Sequence, residues 1–268
     1  MYASVNSVRM YYERHGEGDP VVMIHDRAST GEVWRAVVPP LAQRHHVIVY
    51  DSRGTGKSES GPAGAAYTTG LLAADLVGLL DVLGIPRACL MGISMGGGVA
   101  QQAVLDYPDR VSSLVLVSTS PGFSSSTRLR MLGEAERIER GGIDETLVAA
   151  MLGRWFTPAF AAAQPAAVEK VRRGVLAYSP AVLAARSRAN AERDYTGRLG
   201  RIRCPVLFVA GADDPMGPTT HAAVYAAALP HLEIRIIAGS SHLLPVQAPR
   251  DLAAAVLDFI GTGHPGAT

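Results

Sequence analysis

Six short apolar runs rich in β-branched residues constrain this chain most: Val21 to His25, Val47 to Tyr50, Ala88 to Met91, Leu114 to Val117, Pro205 to Val209 and Glu233 to Ile237. Their hydrophobicity is continuous rather than alternating, the pattern of strands buried on both faces. Helical periods separate several of them. Leu72, Leu76, Leu79, Leu80 and Leu83 stop at Gly84 ahead of Pro86, and Leu252, Ala255, Val256, Phe259 and Ile260 repeat the spacing near the end. Alternating strand and helix predicts an α/β fold with a mostly parallel sheet flanked by helices. At the start, Val5 and Val8 flank Asn6-Ser7 and Met10 to Tyr12 continue the strand pattern, which predicts an antiparallel edge hairpin.

The alternation fails between Gly122 and Arg198. Arg128 to Arg140, Ile143 to Leu152, Pro165 to Tyr178 and Pro180 to Arg193 all have helical composition, with no convincing strand among them. Residues 1–121 and 199–268 therefore read as the core and 122–198 as a helical insertion. An insertion at the carboxyl edge of a parallel sheet covers the place where such sheets bind ligands.

Charge narrows the partners. Lys+Arg 25 against Asp+Glu 24 leaves a net charge of +1, without the cationic surplus that nucleic acid or an anionic membrane demands. No run approaches the roughly 18 apolar residues of a membrane span, and the first residues do not read as a signal peptide, so the chain reads as cytoplasmic. Cys89 and Cys204 both sit in apolar segments, which suits buried structural thiols rather than a disulfide, redox or zinc site.

The run Ala88 to Met91 leads directly into Gly92-Ile93-Ser94-Met95-Gly96-Gly97-Gly98, after which Val99 to Leu105 reads as helix. Strand, G-x-S-x-G, helix is a turn in which two glycines permit a sharp reversal that lifts a serine hydroxyl above the sheet. A serine nucleophile needs a base, and the base needs an orienting acid. Pro205 to Val209 is followed by Ala210-Gly211-Ala212-Asp213-Asp214-Pro215, and Glu233 to Ile237 by Gly239-Ser240-Ser241-His242. Ser94, then Asp213 or Asp214, then His242 gives the required set. Among the other histidines, His45 and His46 enter a strand, His15, His221, His231 and His264 read as surface positions, and His25 ends the first long strand, where a loop rather than a base is expected. Asp51-Ser52-Arg53-Gly54-Thr55-Gly56-Lys57-Ser58 imitates a phosphate loop, but Asp51 stands where glycine is needed and Glu59 to Gly64 is turn chemistry where a helix should begin.

Together these motifs resemble the α/β-hydrolase superfamily, as does Tyr107-Pro108-Asp109-Arg110-Val111. The resemblance covers nearly the whole chain. It implies that the acid is Asp214, in the Gly-x-x-Asp position, rather than Asp213. Arg154-Trp155-Phe156-Thr157-Pro158-Ala159-Phe160 and Gly211-Ala212-Asp213-Asp214-Pro215 further resemble 3-oxoadipate enol-lactonases and related carboxylesterases, implying hydrolysis of a small ester or lactone without metal or organic cofactor. One departure is His25-Asp26-Arg27-Ala28, where hydrolases commonly carry His-Gly.

The expected chemistry is acyl transfer: His242 takes the Ser94 proton, Asp214 holds the imidazole, and backbone N–H groups of Arg27 and Met95 receive the oxyanion. Carbon–carbon bond hydrolysis, perhydrolysis, a biosynthetic cyclase or lyase, and a non-catalytic binding protein are the alternatives on this scaffold. Trp34, Met95, Phe123, Trp155 and Phe156 are the expected pocket residues, with Arg154 as partner for a substrate carboxylate. Asp26 is expected to turn its carboxylate away from the oxyanion position, neutralised by Arg27 or Arg53.

Overall fold

The computed structural model describes residues 1–62 and 67–261. The end of the expected turn at Ala63-Gly64, and His264, lie outside those residues. Eight strands form one sheet: β1 (Tyr2–Val5), β2 (Val8–His15), β3 (Asp19–Ile24), β4 (His45–Tyr50), β5 (Ala88–Ile93), β6 (Val111–Val117), β7 (Val206–Gly211) and β8 (Leu232–Ile237). Their order is β1-β2-β4-β3-β5-β6-β7-β8. The expected hairpin is present: β1 pairs with β2 antiparallel, Val5 opposite Val8, and Asn6 and Ser7 take φ of 44° and 64°. Two consecutive positive φ values are those of a turn whose twist matches the strands. β2 also lies antiparallel to β4, and β3 to β8 are parallel.

The six apolar runs are the six parallel strands, and the structure shows why five of them lack alternation. Successive side chains point to opposite faces. Val21, Met23, Cys89, Met91, Val115 and Val117 enter one core with Leu252, Val256 and Phe259 of the helix Pro249–Gly261. Val22, Ile24, Leu90, Leu114 and Leu116 enter the other, with Leu72 and Leu76 of the helix Thr69–Val82 and Val99 and Val104 of the helix Met95–Asp106. The sixth run departs from expectation. β8 is the sheet edge, with Ile234 and Ile236 exposed, because among the described residues no strand pairs beyond it.

Between β6 and β7 the chain is helical: Ser125–Gly141, Glu145–Trp155, Pro158–Ala163, Pro165–Leu176 and Pro180–Glu192. The short Pro158–Ala163 helix was not legible as a separate element. Ser124, Asp144, Thr157 and Ser179 cap four of these helices, each accepting from the N–H three residues on, a bond worth about 1 kcal/mol. Arg27 to Glu134 and Lys170 to Glu32, both at 2.5 Å, tie these helices to the core. Cys89 is a buried free thiol and Cys204 a partly buried one. Among the described residues no helix is long and apolar enough to cross a membrane.

Candidate active site

Ser94 stands between β5 and the helix that opens at Met95, with φ 54° and ψ −115°. Such a conformation costs a non-glycine residue about 1 to 3 kcal/mol and persists only where neighbours impose it. Two glycines make the turn possible. A Cβ on Gly92 would lie 2.3 Å from the Gly96 carbonyl oxygen, and one on Gly96 would lie 2.2 Å from that of Ile24. The Ser94 N–H donates to Val117 O at 2.9 Å and Thr119 Oγ1 donates to Ser94 O at 2.6 Å, so the strained backbone is held from β6 and the loop after it.

His242 follows β8 and Asp214 follows β7, and their side chains meet: Nδ1 to Oδ2 is 2.8 Å, with both residues buried. The second carboxylate oxygen of Asp214 accepts from Met216 N–H at 2.9 Å. With Nδ1 donating to the carboxylate, the neutral ring keeps its lone pair on Nε2. Asp213, one residue earlier, is exposed. Ser94, Asp214 and His242 line one cavity of about 60 Å³ at the carboxyl ends of the strands.

The loop after β3 forms another wall. The Asp26 carboxylate folds back on its own loop, accepting from Ala28 N–H at 2.8 Å and from the Ser29 hydroxyl at 2.5 Å. The carboxylate is thus held by its own loop, and its expected counter-ions are elsewhere. Arg27 donates to Glu134 and Ser187, and Arg53 grips Asp75 through two bonds of 2.5 and 2.6 Å. His25 is buried beneath the loop, its Nδ1 donating to Asp26 O at 2.7 Å and its Nε2 accepting from Ser52 N–H at 3.0 Å. Burial and then the Arg186 charge push its pKa down to about 3, so the ring is neutral at ordinary pH. Arg27 lines the cavity, and Met95, first residue of its helix, has an N–H with no intrahelical acceptor.

Of the expected pocket residues, Phe123, Arg154 and Trp155 line the cavity. Trp34, Met95 and Phe156 do not. Trp34 is fully buried, packed in the core with Val33 and Val37 because the turn Gly31–Trp34 aims it inward; Met95 buries its thioether in the opposite core; Phe156 stacks on Phe160 at 5.2 Å.

The polar part of the wall also includes Arg130, Asn190, Arg193 and His221. His221, expected at the surface, is brought to the cavity by the helix Pro218–Ala228, and burial there lowers its pKa. Arg193 is buried over the Phe123 ring, 4.6 Å from its centre, and bonds Asn190 and Ser120. Their signal in the sequence was only the i, i+3 spacing of Asn190 and Arg193.

Four arginines, Arg27, Arg130, Arg154 and Arg193, line the cavity beside the carboxylates Asp26 and Asp214. Glu134 answers three of them. Its burial opposes ionisation, but the pull of Arg27, Arg154 and Arg130 holds its carboxyl below the ordinary range. A second cavity, about 340 Å³ and mainly apolar, shares Asp26 and Trp155 with the first and is walled by Ala28, Val33, Val171 and Leu243. Among the described residues no three His, Cys, Asp or Glu side chains are grouped to hold a metal ion.

A family model described as the alpha/beta hydrolase fold matches residues 19–137. A Caulobacter sp. protein named "Putative carbamate hydrolase RutD" is 30% identical over 268 residues, covering 94% of this chain and 95% of its own. The chain belongs to the α/β-hydrolase family. It is also 29% identical over 255 residues to 3-oxoadipate enol-lactonase 2 of Acinetobacter baylyi, covering 94% of this chain and 93% of that protein. Among solved structures, a thermophilic esterase from Thermogutta terrifontis with malate bound superposes with a TM-score of 0.90 at 28% identity, over 97% of each chain. This α/β-hydrolase is thus an enzyme whose fold and relatives are those of hydrolases of small molecules.

Proposed function

We propose that this α/β-hydrolase cleaves the ester or lactone bond of a small anionic molecule through an acyl-enzyme. The observation that carries this reading is the strained Ser94 in one cavity with the buried His242–Asp214 pair. Nε2 of His242 takes the Ser94 proton as the hydroxyl attacks the carbonyl carbon. Asp214 holds the ring in the tautomer that leaves Nε2 basic and stabilises the imidazolium. The tetrahedral oxyanion forms at the N–H groups of Arg27 and Met95, each worth about 3 kcal/mol to the transition state. His242 then returns the proton to the leaving oxygen, and water repeats the sequence on the acyl-enzyme.

The four arginines support a substrate that carries a carboxylate, as Arg154 was expected to bind; they outnumber the carboxylates of Glu134, Asp26 and Asp214. The apolar cavity behind Trp155 suits an aliphatic arm on the same substrate. In this reading, residues 122–198 are a cap that closes over the site.

The deciding experiment is a panel of lactones, carboxylate-bearing esters, short neutral esters and a carbamate, assayed with the wild type and Ser94→Ala. Hydrolysis of an anionic ester or lactone, lost by at least about a thousandfold in Ser94→Ala and accompanied by an acyl adduct on Ser94 in the mass spectrum, supports the reading. Equal turnover by Ser94→Ala rejects it.

A further inference from the structure

Arg186 is the largest fully buried side chain after Trp34 among the described residues, and it does not line the cavity that holds Ser94 and His242. It lies on the helix Pro180–Glu192, and its guanidinium reaches out of that helix to the β3 loop. Nη2 donates to the backbone oxygen of Asp26 at 3.1 Å and Nε to that of Arg27 at 3.2 Å. His25, the residue just before Asp26 at the end of β3, donates from Nδ1 to the same Asp26 oxygen at 2.7 Å, and its own orientation is set by Ser52 N–H.

The consequence follows from peptide geometry. The carbonyl of Asp26 and the N–H of Arg27 belong to one planar trans unit, in which they point in opposite directions. Two donors that fix the Asp26 oxygen therefore fix the direction of the Arg27 N–H. A free loop could rotate this peptide about the flanking single bonds; one pinned by a buried cation and a buried imidazole resists it. Because the cation comes from the helical segment, the seating of that segment and the orientation of the peptide are coupled.

We propose that Arg186 is a positioning residue which, with His25, clamps the Asp26–Arg27 peptide so that the Arg27 N–H is preorganised to receive the substrate oxyanion. The proposal rests on the reading of Arg27 and Ser94 given above. It adds that the helical segment completes the oxyanion site rather than merely covering it. The neighbouring Ser187 serves a different part of the same loop, accepting from the Arg27 side chain at 2.5 Å.

The test compares Arg186→Met and Arg186→Lys with the wild type, and with Arg188→Met as control. Arg188 lies on the same helix but pairs with Glu139 at the surface. The readouts are kcat and KM for a chromogenic ester, the affinity of a boronic acid whose tetrahedral adduct mimics the oxyanion, and Tm. Losing an oxyanion donor outright costs about 10² to 10³ in kcat, and His25 still holds the peptide in the variant. The expected loss in Arg186→Met is therefore about tenfold to a hundredfold in kcat, with KM within about twofold and boronic acid affinity falling in parallel with kcat. Lysine keeps the charge but cannot bond both carbonyls as a fork does, so Arg186→Lys falls between the two.

A folded Arg186→Met with kcat and boronic acid affinity within about threefold of the wild type overturns the proposal, as does a change confined to KM. If Arg186→Met does not fold, Arg186→Lys decides on the same two readouts. A wild type that ignores the boronic acid rejects the Ser94 reading; a wild type that binds it, with both variants binding equally well, rejects the clamp alone.

Discussion

Acidification should weaken this protein through His25, a residue that the proposed reaction never protonates. The ring is fully buried, and burial together with Arg186 lowers its pKa from 6.5 to about 3. In the unfolded chain the same imidazole takes a proton near its ordinary value. Between those two values the unfolded state binds more protons than the folded state, so stability rises with pH across that window. The contribution of His25 is complete above about pH 6.5 and is lost progressively below it, at about 1.4 kcal/mol per pH unit. Going from pH 6.5 to 5 therefore removes about 2 kcal/mol. That is a large share of a typical folding free energy of about 5 to 15 kcal/mol. The assay is urea unfolding of the wild type and His25→Gln at intervals from pH 8 to 5. Glutamine does not titrate, and carboxylate contributions common to both proteins cancel in the difference. The variant starts less stable at pH 8, because the Ser52 and Asp26 bonds are imperfectly replaced, and the gap narrows by about 2 kcal/mol as the pH falls to 5. A gap that stays constant to within about 0.5 kcal/mol would show that the ring is not held neutral by burial, and the reasoning fails.

Three further outcomes follow from the site. Asp214→Asn lowers kcat on the best ester by about a thousandfold or more through loss of the correct histidine tautomer, while Asp213→Asn, altering an exposed carboxylate, changes it by less than about threefold; steady-state kinetics of the pair settles which is the acid. Trp155→Ala removes the wall shared by the polar and apolar cavities, shifting the ratio of kcat/KM for a hexanoate over an acetate ester by about tenfold, within the roughly 1 to 3 kcal/mol that apolar pocket changes command; an unchanged ratio removes Trp155 from specificity. Asp26→Gly alters kcat/KM for a simple ester by less than about tenfold, or about 1.4 kcal/mol, because the carboxylate serves its own loop; a hundredfold loss on the best carboxylate-bearing substrate would make Asp26 a working residue.

Elements set by local chemistry were legible in the residues. Continuous apolar runs identified the parallel strands because both faces of five of the six are buried, and paired glycines around Ser94 identified the turn because any Cβ there would strike a backbone oxygen. Asn6-Ser7 between Val5 and Val8 identified the hairpin for the same local reason. His242 and an acid were legible as residues that end strands, since such ends gather at one edge of a parallel sheet. Adjacent Asp213 and Asp214 could not be told apart by spacing; the turn after β7 decides which is buried against the imidazole.

Tertiary structure alone decided everything that depends on which way a helix faces. Trp34 and Phe156 have the composition of pocket residues and are core, whereas Arg193 and His221 carry no motif and line the cavity. The sequence offers Arg27 and Arg53 as counter-ions for Asp26, but the cation that bonds its peptide is Arg186, far along the chain on another element. Partners of that kind are invisible in one sequence: hydrophobic periodicity specifies which face of a helix is apolar, while the polar contacts across the cavity are set by how the helical segment seats on the sheet.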